Sequence, residues 1–360
     1  MMQFQVRKDD LSNHRLVEAD APDLADGEIL LKVDRFGLTA NNITYGVVGE
    51  RIGYWNFFPP LNDDDGRWGI IPVWGFADVV ASNAAEVPEG ERLYGYFSMA
   101  THLVMRPQKV SETRIFDGSK HRSALPPVYN SYVRLTGQPD YDRALDSARM
   151  VLHPLYATSF CLHDFLTDND WFGAEQIMVI SASSKTAIGL AYALTDDERA
   201  PASIGMTSAR NLDLVRSLGL YDTVLSYDEI EAVDAAKPTA IVDMSGSGSV
   251  LSELHAHLGD NMRYCSNVGV THWSEFGPGP GFIRERSHMF FAPGHIQKRA
   301  GEWGKGEFEK RALAFWQSAA ERSNDWLTYE TTEGLADIAG LFDDLRDGKV
   351  SPHTGLAVTL

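Results

Sequence analysis

Short apolar runs alternate with amphipathic stretches through the second half of the chain, and that alternation predicts parallel strands joined by crossover helices. Gln176–Ile180 reads as a strand and 186–195 as its helix, and Ser203–Met206 is followed by a helix at Leu212–Leu218. Thr223–Leu225 is a short strand, Ala240–Met244 precedes a helix at 248–258, and Met262–Val268 and His288–Ala292 complete the series. An amphipathic helix is expected over Gly306–Arg322, with Phe308, Leu313, Phe315 and Trp316 as its apolar residues. The tail then reads as a strand at Trp326–Tyr329, a helix over 335–346 and a strand at Gly355–Leu360.

From residue 1 to about 130 the pattern is different. Glu28–Phe36, Ile71–Ala81, Arg92–Phe97 and Ala100–Met105 are expected strands, punctuated irregularly by Gly, Pro, Asn and Asp. Asn41 to Trp68 reads as a long connection carrying Tyr45, Tyr54, Trp55, Phe57, Phe58 and Trp68, the kind of loop that is functional or pinned onto neighbouring structure. Within it Asp63–Gly66 reads as a solvated turn. Tyr141–Leu166 is expected to be helical, with a break near His153-Pro154.

Composition narrows the classes. With 44% apolar residues the chain builds real cores, and a net charge of −18 argues against nucleic acid and anionic membrane as partners. An anionic ligand would then need local basic residues. Two distant cysteines, Cys161 and Cys265, give neither a disulfide framework nor a cysteine zinc site. The start of the sequence has no signal-peptide core, so a cytoplasmic location is expected.

The strand Gln176–Ile180, the polar turn Ser181-Ala-Ser-Ser-Lys185 and the helix after it form the strand–turn–helix order of a phosphate-binding nucleotide fold. Counted back from Gly189, a G-x-G-x-x-G fingerprint requires glycines at 184 and 186, where the chain has Ser184 and Thr186. The turn reads either as a cradle in which Ser183, Ser184, Lys185 and Thr186 supplement backbone N–H groups, or as an ordinary connection with an N-cap serine and a solvated lysine. Lys185 suits pyrophosphate or a ribose phosphate. The end of the second strand, Thr207–Asn211, lacks the acid that holds the ribose of NAD, whereas Ser208 and Arg210 suit a 2′-phosphate; the alternative is that Arg210 simply starts the helix surface. NADPH is therefore the expected cofactor. Gly246, in Ser245–Ser249, and Gly269 follow later strands and are expected to give backbone contacts to ribose and nicotinamide, or merely flexible connections.

The order of an irregular β domain, an α/β nucleotide domain and a helix with strands returning to the first resembles the medium-chain dehydrogenase/reductase superfamily. Val33–Asn42, Pro72-Val-Trp-Gly-Phe-Ala77 and Ser217-Leu-Gly219 with Tyr221–Val224 carry the resemblance. Leu38–Tyr45, Ser181–Thr186, Thr207–Asn211 and Phe290–Pro293 are similar to a zinc-free branch known mainly as a domain of unknown function. The resemblance implies an α/β fold: a GroES-like β-rich catalytic domain over 1–135, a Rossmann-type doubly wound parallel sheet over 136–324, and a segment 325–360 returning to the first. It also implies a homodimer. The positions of the zinc ligands hold Thr39, Phe76-Ala77 and Pro154 with His153 beside it, too few donors for a catalytic zinc.

Without a metal, a hydride acceptor is polarised or protonated by side chains. In the segment that faces the nicotinamide in this superfamily the candidates are Thr39, Tyr45 as acid or oxyanion donor, Asn42 to orient a carbonyl, and Tyr54 beyond; each tyrosine is equally a packed aromatic bonded to the backbone. His272 is a reserve proton donor. The expectation is a zinc-independent, NADPH-dependent reductase of an activated double bond, quinone or carbonyl of an apolar small molecule. The alternative is an NADPH-binding sensor or scaffold without turnover.

Overall fold

The computed structural model describes residues 1–136, 138, 141–268, 279–304 and 306–360, with Ile52 described by its backbone alone. Two compact units make up the chain: Met1–Val151 with Leu327–Leu360, and Leu152–Trp326.

The first unit is β-rich. Its main sheet runs, among the described residues, 328–333, 354–359, 29–38, 72–82, 92–98, 131–134, 114–117 and 107–108, with 102–105 paired onto 29–38. The tail joins this unit as a strand pair: Thr328–Glu333 lies parallel to Thr354–Thr359, which runs antiparallel to Ile29–Leu38. Met2–Arg7 and Asp10–Glu18, which the sequence does not signal, form with Trp68–Gly69 a three-stranded antiparallel sheet. Their charged residues hide the period, since the second strand is mostly exposed.

The long connection after residue 40 is more ordered than expected. Ala40–Val47 is a helix, followed by Gly49–Ile52 and the 3-10 turn Tyr54–Asn56. Trp55, Phe57 and Phe58 are buried, so the segment is pinned by its aromatics.

In the second unit six strands lie in the order 223–226, 202–207, 176–180, 239–243, 262–267 and 287–289, every neighbouring pair parallel. Numbered by sequence this is 3-2-1-4-5-6, the doubly wound dinucleotide order, with the switch point beside the first strand. All five residues of Gln176–Ile180 are buried. Ile177 and Val179 pack with Leu190 and Ala191 on one face, while Met178 and Ile180 pack with Leu251 and Leu254 on the other. A run buried on both faces reads as continuously apolar, which is why this strand stands out in the sequence.

Two helices depart from expectation. Asp146–Asp168 is one helix that continues through Pro154, without the expected break. Proline removes one helical hydrogen bond, but Val151, Leu152, Tyr156, Cys161 and Leu162 are fully buried, and that burial outweighs the lost bond. Ala292–Trp303 is a helix where the sequence shows a strand ending at Ala292; the strand is only Ser287–Met289, and Pro293 sits in the helix's first turn, where proline is tolerated.

Candidate functional site

The carboxyl edge of the parallel sheet gathers the nucleotide-site residues of the second unit. Ile180 pairs with Met206 on one side and Asp243 on the other, so the turns after residues 180, 207 and 243 open side by side. Ser181 leaves the first strand with φ 62°, a left-handed conformation that glycine adopts freely and serine does not. The turn thus keeps the backbone shape of a glycine corner at Ser181, three residues before the place found by counting from Gly189. Ser184 caps the helix Lys185–Thr195, its hydroxyl accepting from Ala187 N at 3.3 Å.

Gly189 lies in the body of that helix. A Cβ there would sit 2.6 Å from Ser159 Oγ and 2.6 Å from Tyr156 Cδ1, so its role is close packing against the helix Asp146–Asp168. Ser159 also donates to the Thr186 carbonyl at 2.7 Å, fixing the first turn of the helix from outside. The contribution of Thr186 there is its carbonyl.

Ser183 is the centre of the turn. Its Oγ accepts from Thr207 Oγ1 at 3.2 Å and from Asn211 Nδ2 at 3.0 Å. A serine hydroxyl has two lone pairs and one proton, so with both lone pairs used the proton is left to donate. Lys185 occupies the first helical position, and burial pulls its ammonium down to about 8. A half-buried cation and a serine hydroxyl at a helix N-terminus suit an anion.

Ser208 precedes the 3-10 turn Ala209–Asn211 without a side-chain capping bond, and Arg210 is exposed on it. Asn211, at the end of that stretch, acts through Ser183, to which its carboxamide donates. No spacing rule signals it, because the contact spans two crossover units.

The third turn is organised by Asp243. This buried carboxylate accepts from Ser245 N at 2.8 Å, Ser245 Oγ at 2.6 Å and Gly246 N at 3.0 Å. Burial raises it to about 6 against the pull of those donors. Gly246 has φ 67° and presents its N–H to Asp243, so that N–H is already engaged. Gly269 and His272 lie outside the described residues.

The first unit holds the expected chemical groups in an aromatic cluster. Asn42 is a capping residue: its Oδ1 accepts from Thr39 N at 2.7 Å and its Nδ2 donates to the Pro72 carbonyl at 2.8 Å. Its carboxamide is therefore engaged in holding the helix start against strand Pro72–Ser82, not in orienting a ligand. Tyr45 is buried, and its oxygen accepts from Asn41 Nδ2 at 2.7 Å, which leaves the phenol proton to donate. Tyr54 and Tyr129 share a hydrogen bond of 3.0 Å between their hydroxyls. Burial raises both Tyr45 and Tyr54 above the usual phenol value, so they stay protonated. Tyr96, Tyr129 and Trp74 complete the cluster and went unnoticed in the sequence, because they come from distant elements.

At the positions of the superfamily's metal ligands the side chains have other work. Thr39 precedes the helix 40–47, and Phe76 packs its ring 5.1 Å from Tyr94. Among the described residues no three His, Cys, Asp or Glu side chains form a metal-holding group, and no helix is long and apolar enough to cross a membrane.

Solved structures share this fold across their whole length. CurA from Vibrio vulnificus in complex with NADPH superposes with a TM-score of 0.65 at 14% identity, covering 100% of this chain and 99% of that one. The mycobacterial Rv1454c complexed with NADPH gives 0.60 at 14%, covering 100% of both chains. The quinone oxidoreductase from Coxiella burnetii gives 0.54 at 14%, covering 100% and 99%. No curated protein matches the chain. A family described as "Protein of unknown function (DUF2855)" matches residues 36–351, and the chain belongs to that family, which here has the GroES-like and Rossmann-type fold of the medium-chain dehydrogenases and reductases.

Proposed function

We propose that the protein is an NADPH-dependent oxidoreductase that works without zinc and reduces an activated double bond, quinone or carbonyl of an apolar small molecule. The observation that carries the reading is the Ser183 hydroxyl, whose two lone pairs are filled by Thr207 and Asn211 so that its proton is left for an anion beside half-buried Lys185. The donor set fits a dinucleotide. Ser183, Lys185 and the N-terminus of helix 185–195 would hold the pyrophosphate, and Ser208 with Arg210 would hold the 2′-phosphate that distinguishes NADPH.

When bound, the cofactor supplies a hydride. The chain's own part is to hold the dinucleotide on the sheet edge, keep water from the tyrosine cluster by burial, and present protonated phenols to the oxygen of the acceptor. Tyr45, kept protonated by burial, is the proposed donor. The CurA and Rv1454c structures carry NADPH in the same fold, which supports the cofactor class.

Absorbance at 340 nm with a panel of enones, quinones and aldehydes tests this. Consumption of NADPH with one of these classes is expected, with NADH at least tenfold weaker in binding, as about one charge-assisted hydrogen bond requires. Tight NADPH binding without oxidation across the panel would replace the enzyme with a sensor. Comparable affinity for NADH and NADPH would remove Ser208 and Arg210 from the cofactor site.

A further inference from the structure

Tyr94 belongs to a row that crosses three strands of the first unit's sheet. It stands opposite Val133, and Val133 stands opposite Arg114, so the three side chains share one face. Along strand Arg114–Asp117, Arg114 and Phe116 are partly exposed while Ile115 and Asp117 are buried. Ser131 and Val133 repeat that alternation around buried Tyr132. This part of the face is an open shelf, and its back is core. The helix Asp146–Asp168, whose turns up to Val151 belong to the same unit, sets the Arg149 guanidinium 4.6 Å above the Tyr94 ring. Tyr94 Oη donates to the Arg149 carbonyl at 3.1 Å, and Trp74 stacks on the Tyr94 ring at 5.8 Å, so the seat of the arginine is fixed.

What the seat lacks is an acid. The chain has 50 acidic residues against 32 basic ones, and other arginines of this unit have found theirs. Arg92 pairs with Asp34, Asp78 and Asp146, Arg122 with Asp117, and Arg134 with Glu91. Among the described residues the Arg149 guanidinium has neither an ion pair nor a hydrogen-bond acceptor, and its Nε is enclosed without a partner. Asp146, one turn earlier on the helix, has spent its oxygens: Oδ1 accepts from Tyr141 at 2.8 Å and Oδ2 from Arg92 at 3.0 Å. Arg149 also lies near the positive end of the helix, where a cation is disfavoured. Burial pulls its pKa below the ordinary arginine value. On the same sheet face Arg114 donates to Ser131 Oγ at 3.2 Å, and Lys109 lies 5.3 Å from the Phe116 ring. Neither has an ion pair among the described residues.

We propose that this face of the first unit is a binding site for an aromatic carboxylate, gripped by the terminal nitrogens of Arg149 while its ring lies on Val133. The Nη atoms of Arg149, unlike its Nε, are not enclosed, and their planar fork matches the two oxygens of a carboxylate. Half-exposed Val133 lies in the row between Arg114 and the Tyr94 ring that seats Arg149, with half-exposed Phe116 beside it, which suits a flat apolar body. Arg114 and Lys109 add positive potential to a face of an otherwise acidic protein, and draw the anion to it. The site stands on the first unit alone and does not depend on the reductase reading.

The probes are trans-cinnamate and its neutral amide, trans-cinnamamide, each titrated calorimetrically into the full chain without cofactor. Wild type is expected to bind cinnamate at least about tenfold tighter than the amide, the effect of one or two charge-assisted hydrogen bonds. Arg149→Lys keeps the charge and the stem but not the fork, and should weaken cinnamate about tenfold while leaving the amide unchanged. Arg149→Met should weaken cinnamate at least as much, and Arg114→Met less. Lys185→Met, in the second unit, should bind cinnamate as wild type does, which separates this site from the nucleotide turn. Urea unfolding of each variant checks that it folds, and Arg149→Lys carries the test if the methionine variant does not. Equal or undetectable binding of the two probes, cinnamate affinity unchanged in Arg149→Lys, or a loss in Lys185→Met as large as that in Arg149→Met would each overturn the site.

Discussion

Asn211 Nδ2 donates to Ser183 Oγ at 3.0 Å, tying the turn after the second strand of the parallel sheet to the turn after the first. The direction of that bond decides where the serine proton points. Replacing Asn211 with aspartate puts an acceptor in place of a donor, so Ser183 turns its proton inward and a negative charge joins the site. Asn211→Asp is expected to weaken NADPH by more than Asn211→Ala, with about a tenfold difference between the two, in a fluorescence titration. If alanine and aspartate weaken it equally, Ser183 does not face the phosphate.

Lys185 gives the binding a pH dependence. Its ammonium sits at about 8 because burial disfavours the charge, and a bound phosphate raises it again. Below pH 8 the cation is already present and affinity is flat. Above pH 8 binding must first take up a proton, so the dissociation constant rises by up to about tenfold per pH unit until the bound-state value is reached. Lys185→Met lowers affinity and flattens that limb. A wild-type affinity constant from pH 7 to pH 10 would take Lys185 out of the anion site.

Gly189 is a packing residue, and the sign of its substitution follows. Glycine in a helix interior is ordinarily less stable than alanine by about 0.5–1 kcal/mol. Here the added methyl meets Ser159 Oγ and Tyr156 at 2.6 Å, so overpacking of about 1–3 kcal/mol outweighs the propensity gain. Gly189→Ala should lower the unfolding midpoint in urea while leaving NADPH affinity at low temperature near wild type. A raised midpoint would show that the two helices part without penalty.

The parallel sheet was legible because its strands are short apolar runs, buried on both faces, separated by helix patterns. That the tail returns to the first unit was implied only by the superfamily resemblance, not by any local pattern. What the sequence hid has a common cause, namely contacts between residues far apart in the chain. Ser181 carries the left-handed corner of the nucleotide turn, but nothing about a serine announces a positive φ, and the count from Gly189 placed the fingerprint elsewhere. The expected break at Pro154 ignored how many buried side chains flank it. Asn42 attracted a chemical role by its place in the chain, while its neighbours Thr39 and Pro72 had already engaged it. Tyr96 and Trp74 sit in strands where every large side chain reads as core.

Arg122 shows how the aromatic segment is held. It is 1% exposed and forms an ion pair with Asp117 at 2.8 Å, itself 2% exposed. The same guanidinium donates to Tyr132 Oη at 2.7 Å and to the Tyr129 carbonyl at 2.7 Å, and lies 5.3 Å from the Phe57 ring and 5.0 Å from the Phe58 ring. One buried cation thus fixes Phe57 and Phe58 on one side and Tyr129, the partner of Tyr54, on the other. Arg122→Met keeps most of the volume but strands the Asp117 charge in the interior, and breaking a buried pair from one side costs about 3–5 kcal/mol. Adding Asp117→Asn removes the stranded charge and should recover a large part of that loss, so the double variant is more stable than Arg122→Met alone. Urea unfolding of the two single variants and the double one measures the coupling. The recovered stability should not bring back the aromatic geometry, since the amide does not bond Tyr129 or stack on Phe57, so near-ultraviolet circular dichroism of the double variant should stay altered. If the single variant loses less than about 1 kcal/mol, the range of an exposed pair, then water reaches Asp117 and Arg122 is not the clamp of this segment.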